Sequence, residues 1–79
     1  MRYETKTRLP VPEALERAEQ FFGGEYGLDI RERQREAIRF EGGGGYVRVS
    51  VVSEQPTTLE IETREWDRPV EFFMEQLPR

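Results

Sequence analysis

The chain has no cysteine, no histidine and no asparagine, and it carries a single lysine, Lys6, among its 79 residues. The missing cysteines exclude disulfides, thiolate nucleophiles and sulfur-ligated zinc. The missing histidines remove the side chain that most often shuttles protons near neutral pH and most often ligates metals. Long apolar runs are also lacking, and no secretory leader pattern follows Met1, so the expectation is a soluble, cytoplasmic chain with no membrane partner. Positive charge is in the minority: the net charge is −4, with eleven arginines and fourteen glutamates intermixed rather than blocked. Such a balance suits solubility and speaks against nucleic acid as a partner, because phosphate binding needs a basic surplus. Arginine in place of lysine and the lack of asparagine suggest a GC-rich or heat-adapted source.

What the sequence does contain is alternation. Ile38 and Phe40 alternate with Ala37, Arg39 and Glu41; Val47, Val49 and Val51 with Tyr46, Arg48 and Ser50; Leu59 and Ile61 with Thr58, Glu60 and Glu62. Side chains of a strand point to opposite faces in turn, so each segment has one apolar face. Placing Phe40 opposite Val47 keeps both apolar sets together and leaves Gly43 and Gly44 at the centre of a two-residue turn, whose positive φ glycine tolerates. The same logic puts Glu54, Gln55 and Pro56 in the next loop, with Val51 facing Leu59 and Val49 facing Ile61. Between Leu28 and Glu41 a three-residue turn at Arg33, Gln34 and Arg35 would pair Ile30 with Ile38. This segment is also rich in helix formers, and its reading as two strands rests on the failure of helical spacing.

Arg2 to Leu9 alternates as a first strand. Pro10 and Pro12 then open a helix over Glu13 to Phe22, with Val11, Leu15, Ala18 and Phe22 on one stripe and Gly23 and Gly24 stopping it. A second helix is expected over Trp66 to Leu77, with Asp67 as N-cap, Pro69 in the first turn, and Trp66, Val70, Phe73, Met74 and Leu77 on its apolar side. The predicted fold is α+β: one domain over residues 1–79, a five-stranded antiparallel sheet with both helices on its apolar face, in the order β-α-β-β-β-β-α.

Leu9-Pro10-Val11-Pro12-Glu13, a strand end running into a proline-opened helix, and the closing amphipathic stretch Trp66 to Leu77 give this order an architecture that resembles the TATA-binding-protein-like fold. It is also similar to a shortened helix-grip fold of the kind used by START and polyketide-cyclase-like domains. The first resemblance implies an exposed sheet face as the working surface, which is where that family meets DNA; the second implies a ligand cavity between helices and sheet. Both are resemblances of architecture, and neither assigns a role to a residue of this chain.

The expected registers place Asp29, Arg39, Arg48 and Glu62 in one cross-strand row of the wet face and Arg31, Ala37, Ser50 and Glu60 in the next, with Tyr46 the clearest aromatic there. Asp29, Arg31, Arg39, Tyr46, Arg48, Glu60 and Glu62 are the candidate binding face, although interleaved charges also serve simply to solvate a sheet. Phe72 falls off the stripe of the second helix and is a candidate protein-partner surface. The aromatics Tyr3, Phe21, Phe22, Phe40, Trp66, Phe72 and Phe73 are either core or the lining of a small pocket. Glu32 and Glu36, opposite one another in the expected register, are the only carboxylate pair worth weighing for acid/base work. The glycine run lacks the Lys-Ser/Thr and helix start of a phosphate loop. No catalytic constellation, metal set or cofactor motif stands out. The expected role is a binding or assembly module acting through its sheet face or edge, with small-ligand binding and nucleic-acid binding as alternatives. A sheet edge is a natural site for a homodimer.

Overall fold

A computed structural model describes residues 1–79. The strands are β1 (Arg2–Thr7), β2 (Asp29–Gln34), β3 (Ala37–Gly42), β4 (Gly45–Ser53) and β5 (Thr57–Arg64), and the helices are α1 (Val11–Ala18), continued as a π-helical segment over Glu19–Glu25, and α2 (Asp67–Gln76). They form one antiparallel sheet in the order β1-β5-β4-β3-β2. No helix is long and apolar enough to cross a membrane.

The centre of the sheet follows the apolar alternation. Phe40 lies opposite Val47 and Ile38 opposite Val49, while Val49 faces Ile61 and Val51 faces Leu59 across β5. Ile38, Phe40, Val47, Val49, Leu59 and Ile61 are all fully buried beneath the helices. Gly43 and Gly44 form the turn, at φ +59° and +81°, the pair of positive values that a two-residue hairpin of matching twist requires. The loop after β4 falls on Glu54, Gln55 and Pro56, and Val52 bulges out just before it, between the pairs Val51–Leu59 and Ser53–Thr58.

The β2–β3 hairpin departs from expectation. Its turn is Arg35–Glu36, so Gln34 pairs with Ala37, Arg33 with Ile38 and Ile30 with Phe40. Arg33 is a strand residue, paired with Ile38, and its guanidinium meets Glu19 at 2.7 Å. A bulge between Ile30 and Glu32 absorbs the difference in count, since an extra residue on one strand shifts every later side chain to the other face. Ile30 sits on the outermost strand and stays 47% exposed.

The first helix also runs further than its glycines suggest. It passes through Gly23 and Gly24 with widened turns, ending on a hydrogen bond from the Tyr26 N–H to the Phe21 carbonyl at 3.1 Å. A π-turn holds more residues per turn, so neighbours diverge less. Phe21 and Phe22 therefore both point inward, with ring centroids 5.0 Å apart at 85°. Phe22 meets Phe40 at 5.4 Å and Phe73 at 5.2 Å, so this part of the expected aromatic set is packed core. In α2 the cap is Trp66 rather than Asp67, which is the first helical residue and keeps its Oδ1 buried without a partner. Trp66 instead donates its indole N–H to the Gly42 carbonyl at 2.9 Å, tying the helix start to the glycine turn.

Gly45 is where the hairpin, β5 and the approach to α2 come closest: a Cβ there would overlap the Arg64 carbonyl. Gly45→Ala is expected to destabilise the fold by about 1–3 kcal/mol through overpacking. Gly24→Ala, with nothing within 4 Å of the added methyl, is expected to stabilise it by about 0.5 kcal/mol by restricting the unfolded chain. Urea denaturation of the two variants checks both signs.

Candidate functional site: the charged face and the free edge

The exposed face of the sheet carries its charge in a short network at the glycine end. Asp29, Arg31, Arg39 and Tyr46 are brought together there, with Glu41 and Arg64, around an open cleft of about 380 Å³. Glu41 accepts from Arg39 at 2.8 Å and pairs more loosely with Arg31 at 3.6 Å. The Arg39 guanidinium lies 4.2 Å from the centre of the Tyr46 ring, a cation–π placement. The hydrogen bond to Glu41 makes Arg39 hold its proton more tightly than an ordinary arginine, against the opposing effect of its desolvation. The Tyr46 hydroxyl in turn donates to Glu62 at 3.1 Å.

The expected rows are only partly realised. Arg39, Arg48 and Glu62 do line up, as do Ala37, Ser50 and Glu60. Asp29, however, faces Glu41 rather than Arg39, whose partner on β2 is Glu32, and Gln34 takes the place opposite Ala37 expected for Arg31. The two-residue turn and the bulge cause both shifts. They also separate Glu32 from Glu36: Glu36 is in the turn, and Glu32 accepts from Gln34 at 2.8 Å. Glu32 and Glu36 therefore do not face one another. Arg48 donates to Ser50 at 2.7 Å, and Glu60 stands in the same row as Glu4 of β1. The face thus neutralises itself largely through its own side chains.

The two edges of the sheet differ. On β2 the bulge breaks the ladder, and all six residues are exposed, a common protection against edge pairing. On β1 the pairing with β5 is regular. Met1 and Thr63 exchange both backbone hydrogen bonds, the N-terminal amine donating to the Thr63 carbonyl at 2.8 Å and the Thr63 N–H to the Met1 carbonyl at 2.9 Å. Bonded pairs recur at every second residue of an antiparallel ladder, so Tyr3, Thr5 and Thr7 turn their backbone groups to β5. Arg2, Glu4 and Lys6 turn theirs outward. The Arg8 N–H, next in that series, reaches the Pro78 carbonyl at 3.3 Å.

A groove of about 700 Å³ runs along this edge, with Glu4 and Lys6 on the strand, Arg8 just past its end, and Glu71, Met74 and Glu75 on α2. Phe72 does not line it; it is 49% exposed on another side of α2. The alternation Arg2, Glu4, Lys6 was legible in the sequence as part of a wet face, but which strand would be outermost without a bulge was not. No family model matches this chain, and no curated protein sequence matches it.

Near the groove, the Tyr3 hydroxyl is pushed above the ordinary tyrosine value of 10.0 by desolvation and by the Asp67 and Glu71 carboxylates, which disfavour a phenolate. The folded state therefore holds this proton more tightly than the unfolded chain. The stabilisation is complete below pH 10.0 and is lost as the pH rises through the raised value. Ultraviolet titration of the wild type minus Tyr3→Phe should give a phenolate midpoint above that of a free tyrosine, and the variant should lose less stability above pH 10.0.

Proposed function

We propose that this protein is a binding or assembly module that works through the free edge of its sheet, forming a homodimer along β1. One observation carries the reading: the backbone groups of Arg2, Glu4 and Lys6 turn away from β5, no other strand pairs with them, and Glu4 and Lys6 line an open groove. Unpaired strand edges favour strand addition, in which main-chain hydrogen bonds supply affinity and alternate side chains supply specificity. Pro78 already uses the same edge at Arg8.

Two further features support the edge over other surfaces. The space between the helices is filled by the phenylalanine rings, leaving a cleft of only about 60 Å³ beside Phe21 and Phe73, too small for a typical ligand. The charged face is largely engaged with itself through Arg39, Glu41, Tyr46 and Glu62. Phe72, half exposed, is a separate apolar spot suited to a different protein partner.

Sedimentation equilibrium at micromolar concentration should give a dimer, and a monomer throughout would refute the homodimer. Proline scanning locates the surface. Glu4→Pro removes an N–H that points away from β5, so the fold should persist while the dimer dissociates. Thr5→Pro removes an N–H that bonds Leu59 within the sheet, and should cost the fold about 1–3 kcal/mol by orphaning that carbonyl.

A further inference from the structure

We propose that two copies pair β1 with β1 in antiparallel sense about a two-fold axis between their Tyr3 residues, so that Arg2 of each copy faces the partner's Glu4. This inference rests on the edge-dimer reading and specifies its register.

The register follows from parity, charge and one occupied position. Only Arg2, Glu4 and Lys6 offer free backbone groups outward, so the bonded pairs of a new ladder must join these residues to one another. Their side chains share the exposed face, where directly opposed like charges are destabilising and opposite charges stabilising. An axis at Arg2 opposes two arginines. An axis at Glu4 opposes Glu4 to itself and Arg2 to the partner's Lys6. An axis at Thr5 sets Glu4 against the partner's Lys6, but it also sets Arg2 against the partner's Arg8, whose N–H is already taken by Pro78. The partner strand cannot bend away there, because Met1 is bonded to Thr63 through both its amine and its carbonyl. The axis at Tyr3 is the register that opposes only unlike charges and leaves the Pro78 bond intact.

The same arrangement answers a conflict inside one copy. Glu4 lies directly across from Glu60, two carboxylates on neighbouring strands, and neither takes part in the chain's own ion pairs. The partner's Arg2 arrives beside Glu4 on its open side. Arg2 itself lies across from Glu62, so a row Glu62, Arg2, Glu4 and Glu60 runs over the junction, with Arg2 from one copy and Glu4 from the other alternating in sign at the seam. The two Tyr3 residues occupy a non-bonded pair, where opposed Cα atoms approach to about 4.5 Å.

Backbone amide exchange followed by NMR as a function of protein concentration tests the register. The Arg2 and Glu4 amides should become protected as the dimer forms, while the outward Lys6 amide stays fast. Protection of Lys6 would overturn the register, because the axes at Glu4 and at Thr5 both bond it. Charge exchange is an independent test: Arg2→Glu should weaken dimerisation about tenfold, and Arg2→Glu with Glu4→Arg should restore it. A dimer indifferent to Arg2→Glu, with circular dichroism unchanged, would refute this inference while leaving edge assembly standing. Photo-oxidative dityrosine crosslinking of the wild type supplies a readout that needs no folded variant beyond its control: it should form a covalent dimer that Tyr3→Phe abolishes. A wild type that is monomeric by sedimentation would remove the edge-dimer reading and this register with it.

Discussion

Val47 and Val49 of β4 lie between Phe40 and Ile38 on one side and Thr63 and Ile61 on the other, and the rest of the fold depends on that register. A slip of one residue would turn both valines to water and bring Arg48 beneath the helices. Full burial of these side chains contributes roughly 1.5–3 kcal/mol each, a large share of the stability of so small a domain. The turn through Gly43 and Gly44 makes the register achievable at no steric strain, and the close passage of Gly45 against the Arg64 carbonyl leaves no room for a side chain there. Trp66 then carries the constraint to α2 by donating to Gly42.

With the centre fixed, the periphery is determined by what each outer strand can do. β2 must reach from the π-helical end of the first helix to the Arg35–Glu36 turn, and the tie from Arg33 to Glu19 holds its far end on the helix side. The bulge between Ile30 and Glu32 reconciles the two demands and leaves that edge irregular. β1 has no such conflict, so it runs straight along β5 with its outward groups open. The asymmetry leaves one edge regular, and along it Arg2, Glu4 and Lys6 alternate in sign. The same hairpin geometry that shifts Asp29 away from Arg39 also separates Glu32 from Glu36.

Where the sequence could be read, period and turn chemistry agreed. The valine strand, the glycine turn, the Glu54–Pro56 loop and both helices followed from alternation and from proline and glycine positions. The misreadings share a cause. Asp67 resembles a cap in local sequence, yet Trp66 occupies that position because its indole is anchored elsewhere. Gly23 and Gly24 resemble a stop, yet the helix widens and continues because two adjacent phenylalanines both gain burial. Arg33 resembles a loop residue among polar neighbours, yet Glu19, fourteen positions away, recruits it. Each decision was taken by a partner distant in sequence.

The amino-acid sequence by itself determined the fold class, the element order and the face that each central strand buries, because period-two alternation and glycine turns are local properties of the chain. Only the tertiary structure decided which edge would be left regular, where Asp29 and Glu32 would fall relative to Arg39, and that Arg2, Glu4 and Lys6 would turn their backbone groups away from β5. Those outcomes depend on long-range contacts between helix and sheet, which no local pattern encodes.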